Sequence, residues 1–158
     1  MDFNFKTQPY QHQLTALEES WAAPHYALLM EMGTGKTKVA LDTMVKLYEE
    51  RRITAALVIA PKGVYDNWIK NEIPTHVPAK IEPLILRWQP SQSKKYQDEV
   101  TRFLFDQTGV LKIFVMNVEA FSTPRGVKIA NTFCNRHPDN MVIVDESTTI
   151  KNRKARRT

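Results

Sequence analysis

The stretch that most constrains this fold is Tyr26-Ala-Leu-Leu-Met-Glu-Met-Gly-Thr-Gly-Lys-Thr37. It begins as an apolar run of strand length and breaks at two glycines. It then restarts at Lys36 with Ala40, Met44, Leu47 and Tyr48 at helical spacing, and Leu41 and Val45 beside them. Strand, glycine turn and helix is the geometry that a phosphate-binding loop needs. Gly33 and Gly35, on either side of Thr34, tolerate positive φ and let backbone N–H groups close around an anion. The following helix aims its unpaired amides and positive dipole end at the same point. Lys36 is then placed to reach the β- and γ-phosphates, and the Thr37 hydroxyl to join the shell of a Mg²⁺ ion. Met30 stands where the full pattern has its first glycine, so an ordinary glycine-rich β–α turn competes for the loop taken alone.

A second signal lies far downstream. Val142-Ile-Val-Asp-Glu146 is a hydrophobic strand that delivers two adjacent carboxylates to the edge of a sheet. In phosphate-loop NTPases the first such acid holds Mg²⁺, often through water, and the second orients or deprotonates the attacking water. Asp145 takes the metal role and Glu146 the water role. A strand that simply ends in solvated acids is the competing reading. Coupling to Lys36 and Thr37 favours the functional one.

Between these two points the chain alternates strands and helices. Strands are expected at residues 26–31, 55–60, 83–88, 111–116 and 141–145, each a short apolar run. Helices are expected from Pro9 to about Trp21, from Lys36 to Tyr48, from Val64 to Ile73 with Pro74 as the stop, from Gln92 to Phe105, and from Val127 to Cys134. Glu119 to Phe121 reads as a short helix, and Pro124-Arg-Gly126 as a turn. The order implies βαβ units, right-handed crossovers and one α/β domain with a mainly parallel sheet flanked by helices on both faces. Ligands of such sheets sit beyond the carboxyl ends of the strands. Lys36, Lys62, Asn117 and Asp145 all fall just past strand ends.

Composition narrows the class. With 42% hydrophobic and 25% charged residues over 158 positions, the chain has the profile of a single soluble domain that needs no disulfide or metal to hold a core. Cys134 is the only cysteine, which excludes an internal disulfide and suggests a reducing compartment. A cytoplasmic location is expected, compatible with a bacterial or viral origin and also with a nucleus. No apolar run approaches a membrane span, and the four histidines show no metal-ligand spacing. The net charge of +5 favours polyanionic partners, and five of the last eight residues are basic, which by itself reads as a solvated or frayed tail sooner than as a binding patch.

With these residues in view, the chain resembles the first motor lobe of a superfamily-two helicase, closest to the Swi/Snf-like DNA translocases. The resemblance runs from Pro9 to Asn152. Glu31-Met-Gly-Thr-Gly-Lys-Thr37 is similar to the family's first motif, which also lacks the leading glycine. Val58-Ile-Ala-Pro-Lys62, followed by Asn67-Trp68 and Glu72, resembles the next motif, which implies nucleic-acid backbone contacts at Pro61 and Lys62. Asp145-Glu146 with Ile150-Lys-Asn152 resembles the DEAH-like motif and its Swi/Snf-branch extension. Pro9-Tyr-Gln11 resembles the short motif in which glutamine reads adenine, and an amide can both donate to and accept from that base edge. This implies an adenine contact at Gln11, with a helix N-terminus as the equal alternative. Val115-Met-Asn-Val-Glu119 sits at a DNA-proximal motif, which implies a contact at Asn117.

The resemblance implies a RecA-like phosphate-loop NTPase fold across residues 1–158, with ATP and Mg²⁺ as cofactors and duplex DNA as partner. Two departures stand out. Ser147-Thr148 replaces the family's small residue and histidine, which places coupling in question. The second RecA-like lobe, which supplies the arginine finger, is absent, so the chain is expected to be a fragment or truncated product that binds nucleotide with little turnover. Two other functions fit the residues: a nucleic-acid-binding or interaction module with a vestigial nucleotide site, and a phosphate-loop NTPase unrelated to helicases.

Overall fold

In the computed structural model, which describes residues 3–25, 35–91 and 93–145, the run Ala55–Ala60 forms strand β1. It is flanked in parallel by β3 (Lys112–Asn117) and β4 (Asn140–Val144), and β2 (Leu84–Arg87) pairs with the far side of β3. The described sheet therefore reads β2-β3-β1-β4 and is wholly parallel. Ala55 stands opposite Lys112 and Asn140, and Ile59 opposite Met116 and Val144. The Asp145 N–H adds a last rung to Ile59 O at 2.7 Å.

Among the described residues six α-helices carry the connections: α1 (Gln11–Ser20), α2 (Lys36–Glu49), α3 (Tyr65–Asn67), α4 (Ile73–His76), α5 (Lys94–Phe105) and α6 (Pro124–Arg136). A π-helical turn, Trp68–Glu72, joins α3 to α4. Strand residues alternate between two cores because successive side chains leave opposite faces. Ala56, Val58, Ile113 and Val115 pack with Leu41 and Met44 of α2 and with Trp68 and Ile73. Leu57, Phe114 and Met116 pack with Tyr96 and Phe103 of α5 and with Ala130 and Phe133 of α6. Each buried large side chain contributes about 1.5–3 kcal/mol. The route toward β2 crosses one face and the two routes back from it cross the other, as uniform crossover handedness requires.

The strand expected at 26–31 lies outside the described residues. The other four form within a residue or two of their expected bounds. The prolines behave differently from the expectation. Helix α1 begins at Gln11 with Tyr10 as its cap, so Pro9 lies before the helix. Pro74 does not stop its helix, which continues to His76. Proline lacks the N–H and its ring crowds the carbonyl four residues back. The π-helical turn immediately before Pro74 shifts the pairing to five residues, Ile73 N to Trp68 O, and so widens that site. Pro124-Arg-Gly126 is the first turn of α6, not a free turn. Thr123 caps it by accepting from Gly126 N at 3.1 Å, and Pro124 suits the first helical position. A β-carbon at Gly126 would lie 2.1 Å from Ala120 O, so glycine permits the close approach of α6 to the preceding 3₁₀ turn, Val118–Ser122.

Helix α2 is buried on nearly every side, from Lys38 to Lys46. Its inner face meets the sheet, and α1 and the N-terminal segment cover the outside. Lys38 Nζ reaches Asp42 Oδ2 at 2.7 Å and Thr7 O at 2.8 Å, and lies over the Phe5 ring. Lys46 sits 4.1 Å from the Trp21 ring centroid. These pairings let charged residues occupy buried positions.

Candidate functional site

Helix α2 starts from Gly35, whose φ of +83° lies in the left-handed region that costs other residues strain. Its first turn, Lys36-Thr-Lys38, contains no acidic residue, so the amide dipoles at this end act unopposed on an anion. A side chain at Gly35 would push aside the end of the Gln13 side chain. A β-carbon there would stand 2.0 Å from Gln13 Nε2. Gln13 is buried in α1, and its Oε1 accepts from Tyr10 N at 2.9 Å, which turns its NH₂ toward the glycine.

Lys36, Thr37, Trp68 and Asp145 line one cavity of about 800 Å³ that runs from the end of α1 along α2 as far as Leu47 and along the length of β4. The Asp145 backbone is fixed by its rung to Ile59, and its Oδ2 accepts from the Trp68 indole Nε1 at 3.1 Å. A second hollow of about 580 Å³ lies against α6 and the turn before it, and no motif residue lines it.

Lys36, Thr37 and Asp145 line the same cavity. Gly33, Thr34 and Glu146 lie outside the described residues. Gln11 is exposed at the start of α1, with its amide 3.4 Å from Thr15 Oγ1. Pro61 and Lys62 follow β1 at the carboxyl edge, where Lys62 is exposed. Asn117 ends β3 at the same edge, opposite Ala60, but its side chain is buried and its Oδ1 caps the next turn by accepting from Ala120 N at 2.9 Å.

Two arginines near this edge are already engaged. Arg87 forks onto Asp66 and lies 4.7 Å from the Tyr65 ring centroid, and its bond holds the Asp66 carboxyl below its usual range. Arg125 stacks over Trp88 at 5.1 Å and donates to Pro90 O at 3.1 Å. Gln13 was not singled out by motif, and Trp68 only as part of the Asn67-Trp68 pair, with no role assigned to it. Gln13 carries the one available signal, a glutamine at the third helical position of a capping arrangement.

Among the described residues no group of three or more His, Cys, Asp or Glu side chains could hold a metal by itself. Among them, too, no helix is long and apolar enough to cross a membrane.

A parallel sheet covered on both faces, with a glycine-capped helix opening on the carboxyl ends of its strands, defines an α/β domain of the RecA-like class. The chain belongs to the SNF2-related domain family, which matches residues 12–158, so Gln11 falls just before the match. Among solved structures it is similar to a Sulfolobus solfataricus SWI2/SNF2 ATPase core in complex with dsDNA, with a TM-score of 0.59 and 14% identity. That likeness covers 94% of this chain and 34% of the other, so the chain spans about one third of its length. No curated protein matches the sequence.

Proposed function

We propose that the chain is the ATP-binding lobe of a DNA-dependent ATPase of the Swi/Snf-like type. One observation carries this reading: Lys36 and Thr37, delivered by a left-handed glycine to the N-terminus of α2, share a cavity with Asp145 at the end of β4. The α2 amides and Lys36 bind the phosphates, and the Gly35 backbone allows their close approach. Thr37 and Asp145 are the residues that would hold Mg²⁺, which neutralises charge developing on the transferred phosphoryl group. Glu146, next in sequence, is assigned to orient water, and Gln11 to the adenine edge. Gly33 and Thr34 complete the loop.

Pro61 and Lys62 are proposed contacts to the backbone of duplex DNA. Lys62 is exposed at the carboxyl edge, whereas Arg87 and Arg125 are occupied by protein partners. Asn117 supports this surface through its capping bond rather than by a free side chain. Turnover is proposed to need a second RecA-like lobe with an arginine finger, an element worth about 10³–10⁵ in rate in related NTPases.

The test is nucleotide binding and turnover on this chain and on a version joined to a second lobe, each with and without duplex DNA. Mg²⁺-dependent ATP binding that Lys36→Ala abolishes, with DNA-stimulated hydrolysis only in the two-lobed protein, supports the reading. DNA binding without any nucleotide binding in either protein overturns it in favour of a binding module with a vestigial site.

A further inference from the structure

Asp145 is held at two points. Its main chain extends the β1–β4 ladder through Ile59 O, and its carboxylate accepts the indole proton of Trp68 at 3.1 Å. Trp68 itself cannot drift. It is 1% exposed and packs in the core on the α2 face of the sheet. It is also the first residue of the π-helical turn, an irregularity found often at functional sites. That turn allows the helix to continue through Pro74 while Trp68 stays against the end of β4.

From this geometry we infer that Trp68 is a positioning residue for the cation, orienting Asp145 so that one carboxylate oxygen is committed and the other is presented to Mg²⁺ or its water. The inference rests on the nucleotide-site reading given above. Oδ2 takes the indole proton, which leaves Oδ1 for the metal shell. A free carboxylate would rotate between one-oxygen and two-oxygen contact. The bond from Trp68 makes the two oxygens inequivalent before the ion arrives. Indole suits this task because its N–H donates at every accessible pH and cannot accept. Lysine or arginine in the same place would neutralise the charge that the cation needs. Partners of this kind around metal ligands typically change metal affinity 10–100-fold when removed.

The decisive variant is Trp68→Phe, which keeps an aromatic ring in the core and removes only the donor. Fluorescent ATP analogue binding is titrated against Mg²⁺ in the wild-type chain and the variant, with Mn²⁺ binding read directly by electron paramagnetic resonance. The Mg²⁺ concentration giving half-maximal effect is expected to rise about 10-fold in Trp68→Phe, while binding in EDTA is unchanged. A role confined to packing would lower the melting temperature and leave the Mg²⁺ midpoint where it was, and equal midpoints overturn the inference. If the wild-type chain binds no nucleotide under any condition, the parent reading fails and this one with it.

Should Trp68→Phe not fold, the wild-type chain supplies the readout. It has three tryptophans, so the Trp68 indole ¹H–¹⁵N resonance can be assigned by elimination through Trp21→Phe and Trp88→Phe. Adding Mg²⁺ to the nucleotide-bound chain is expected to move that resonance. A resonance that does not respond overturns the inference.

Discussion

The side-chain NH₂ of Gln13 occupies the space that a β-carbon on Gly35 would need, 2.0 Å from it. Two segments of the proposed nucleotide site, the start of α1 and the start of α2, therefore interlock through the one residue type that leaves the gap open. Gly35→Ala is expected to displace the Gln13 amide and, as the larger cost, to strain the left-handed φ of +83°, which costs a residue with a β-carbon about 1–2 kcal/mol. Calorimetry with and without Mg²⁺-ATP should show a lower melting temperature and no stabilisation by nucleotide. Adding Gln13→Ala should recover part of the stability, because it relieves the overlap but not the dihedral strain. Full recovery would mean that the backbone at position 35 is not constrained.

The ion pair between Lys38 and Asp42 is almost completely enclosed, with side chains 6% and 4% exposed. Removing one partner of such a pair typically costs about 3–5 kcal/mol, because the other charge is left buried. Urea unfolding of Lys38→Met should show a loss of that size. The double variant Lys38→Met, Asp42→Leu should regain most of it. If the single and double variants are equally unstable, the bond to Thr7 O and the Phe5 ring, rather than the buried charge, accounts for the effect.

Phe133 sits at the centre of an aromatic cluster, 5.6 Å from the rings of both Phe103 and Phe114, stacked on the first and edge-on to the second. It has no solvent exposure. Phe133→Ala should cost about 3–5 kcal/mol, measured by denaturant unfolding. Phe133→Leu should cost clearly less, since it keeps most of the volume and loses only the ring contacts.

Acid should destabilise the fold through two histidines. Burial pushes the pKa of His76 down, helped by the Lys38 charge and opposed by Glu72 and Asp42. Burial does the same to His137, with Lys112 and Arg136 adding to it and the Phe133 carbonyl opposing. A histidine whose pKa is lower in the folded state binds fewer protons there than in the unfolded chain. Stability therefore falls as pH drops below the unfolded value of about 6.5, until the folded pKa is passed. Asp42 runs the other way, since burial raises its pKa. Melting temperatures between pH 7.5 and pH 5.5 should fall in the wild-type chain, and fall less when His76→Gln and His137→Gln are combined. An unchanged slope in the double variant would mean that these two histidines do not set the acid sensitivity in this range.

Strand β1 was legible residue for residue, because a strand enclosed on both faces is written as an unbroken apolar run. Motif spacing and strand ends also pointed to Lys36, Thr37 and Asp145, which line one cavity. Proline was the poorer guide. At position 74 the widened turn absorbs it, and no local pattern announces that turn. At position 124 the signal was present, a threonine just ahead of the proline, and the glycine two residues later hid it. The Trp68–Asp145 bond joins residues 77 positions apart, and only the packing of a helix against a strand end brings them within reach. Likewise Gln13 and Gly35 meet through the docking of α1 on α2.

The central position of β1 also sets an order of events during synthesis. Both its neighbours, β3 and β4, lie later in the chain, so β1 leaves the ribosome before either edge can be covered. At about 5–20 residues per second the wait from β1 to the completion of β4 is roughly 4–17 s. Throughout that interval the chain carries an exposed Ala-Ala-Leu-Val-Ile-Ala segment with no charge of its own. Chaperone engagement, if it occurs, should therefore concentrate on nascent chains that end between β1 and β4, and should fade once Val144 has emerged.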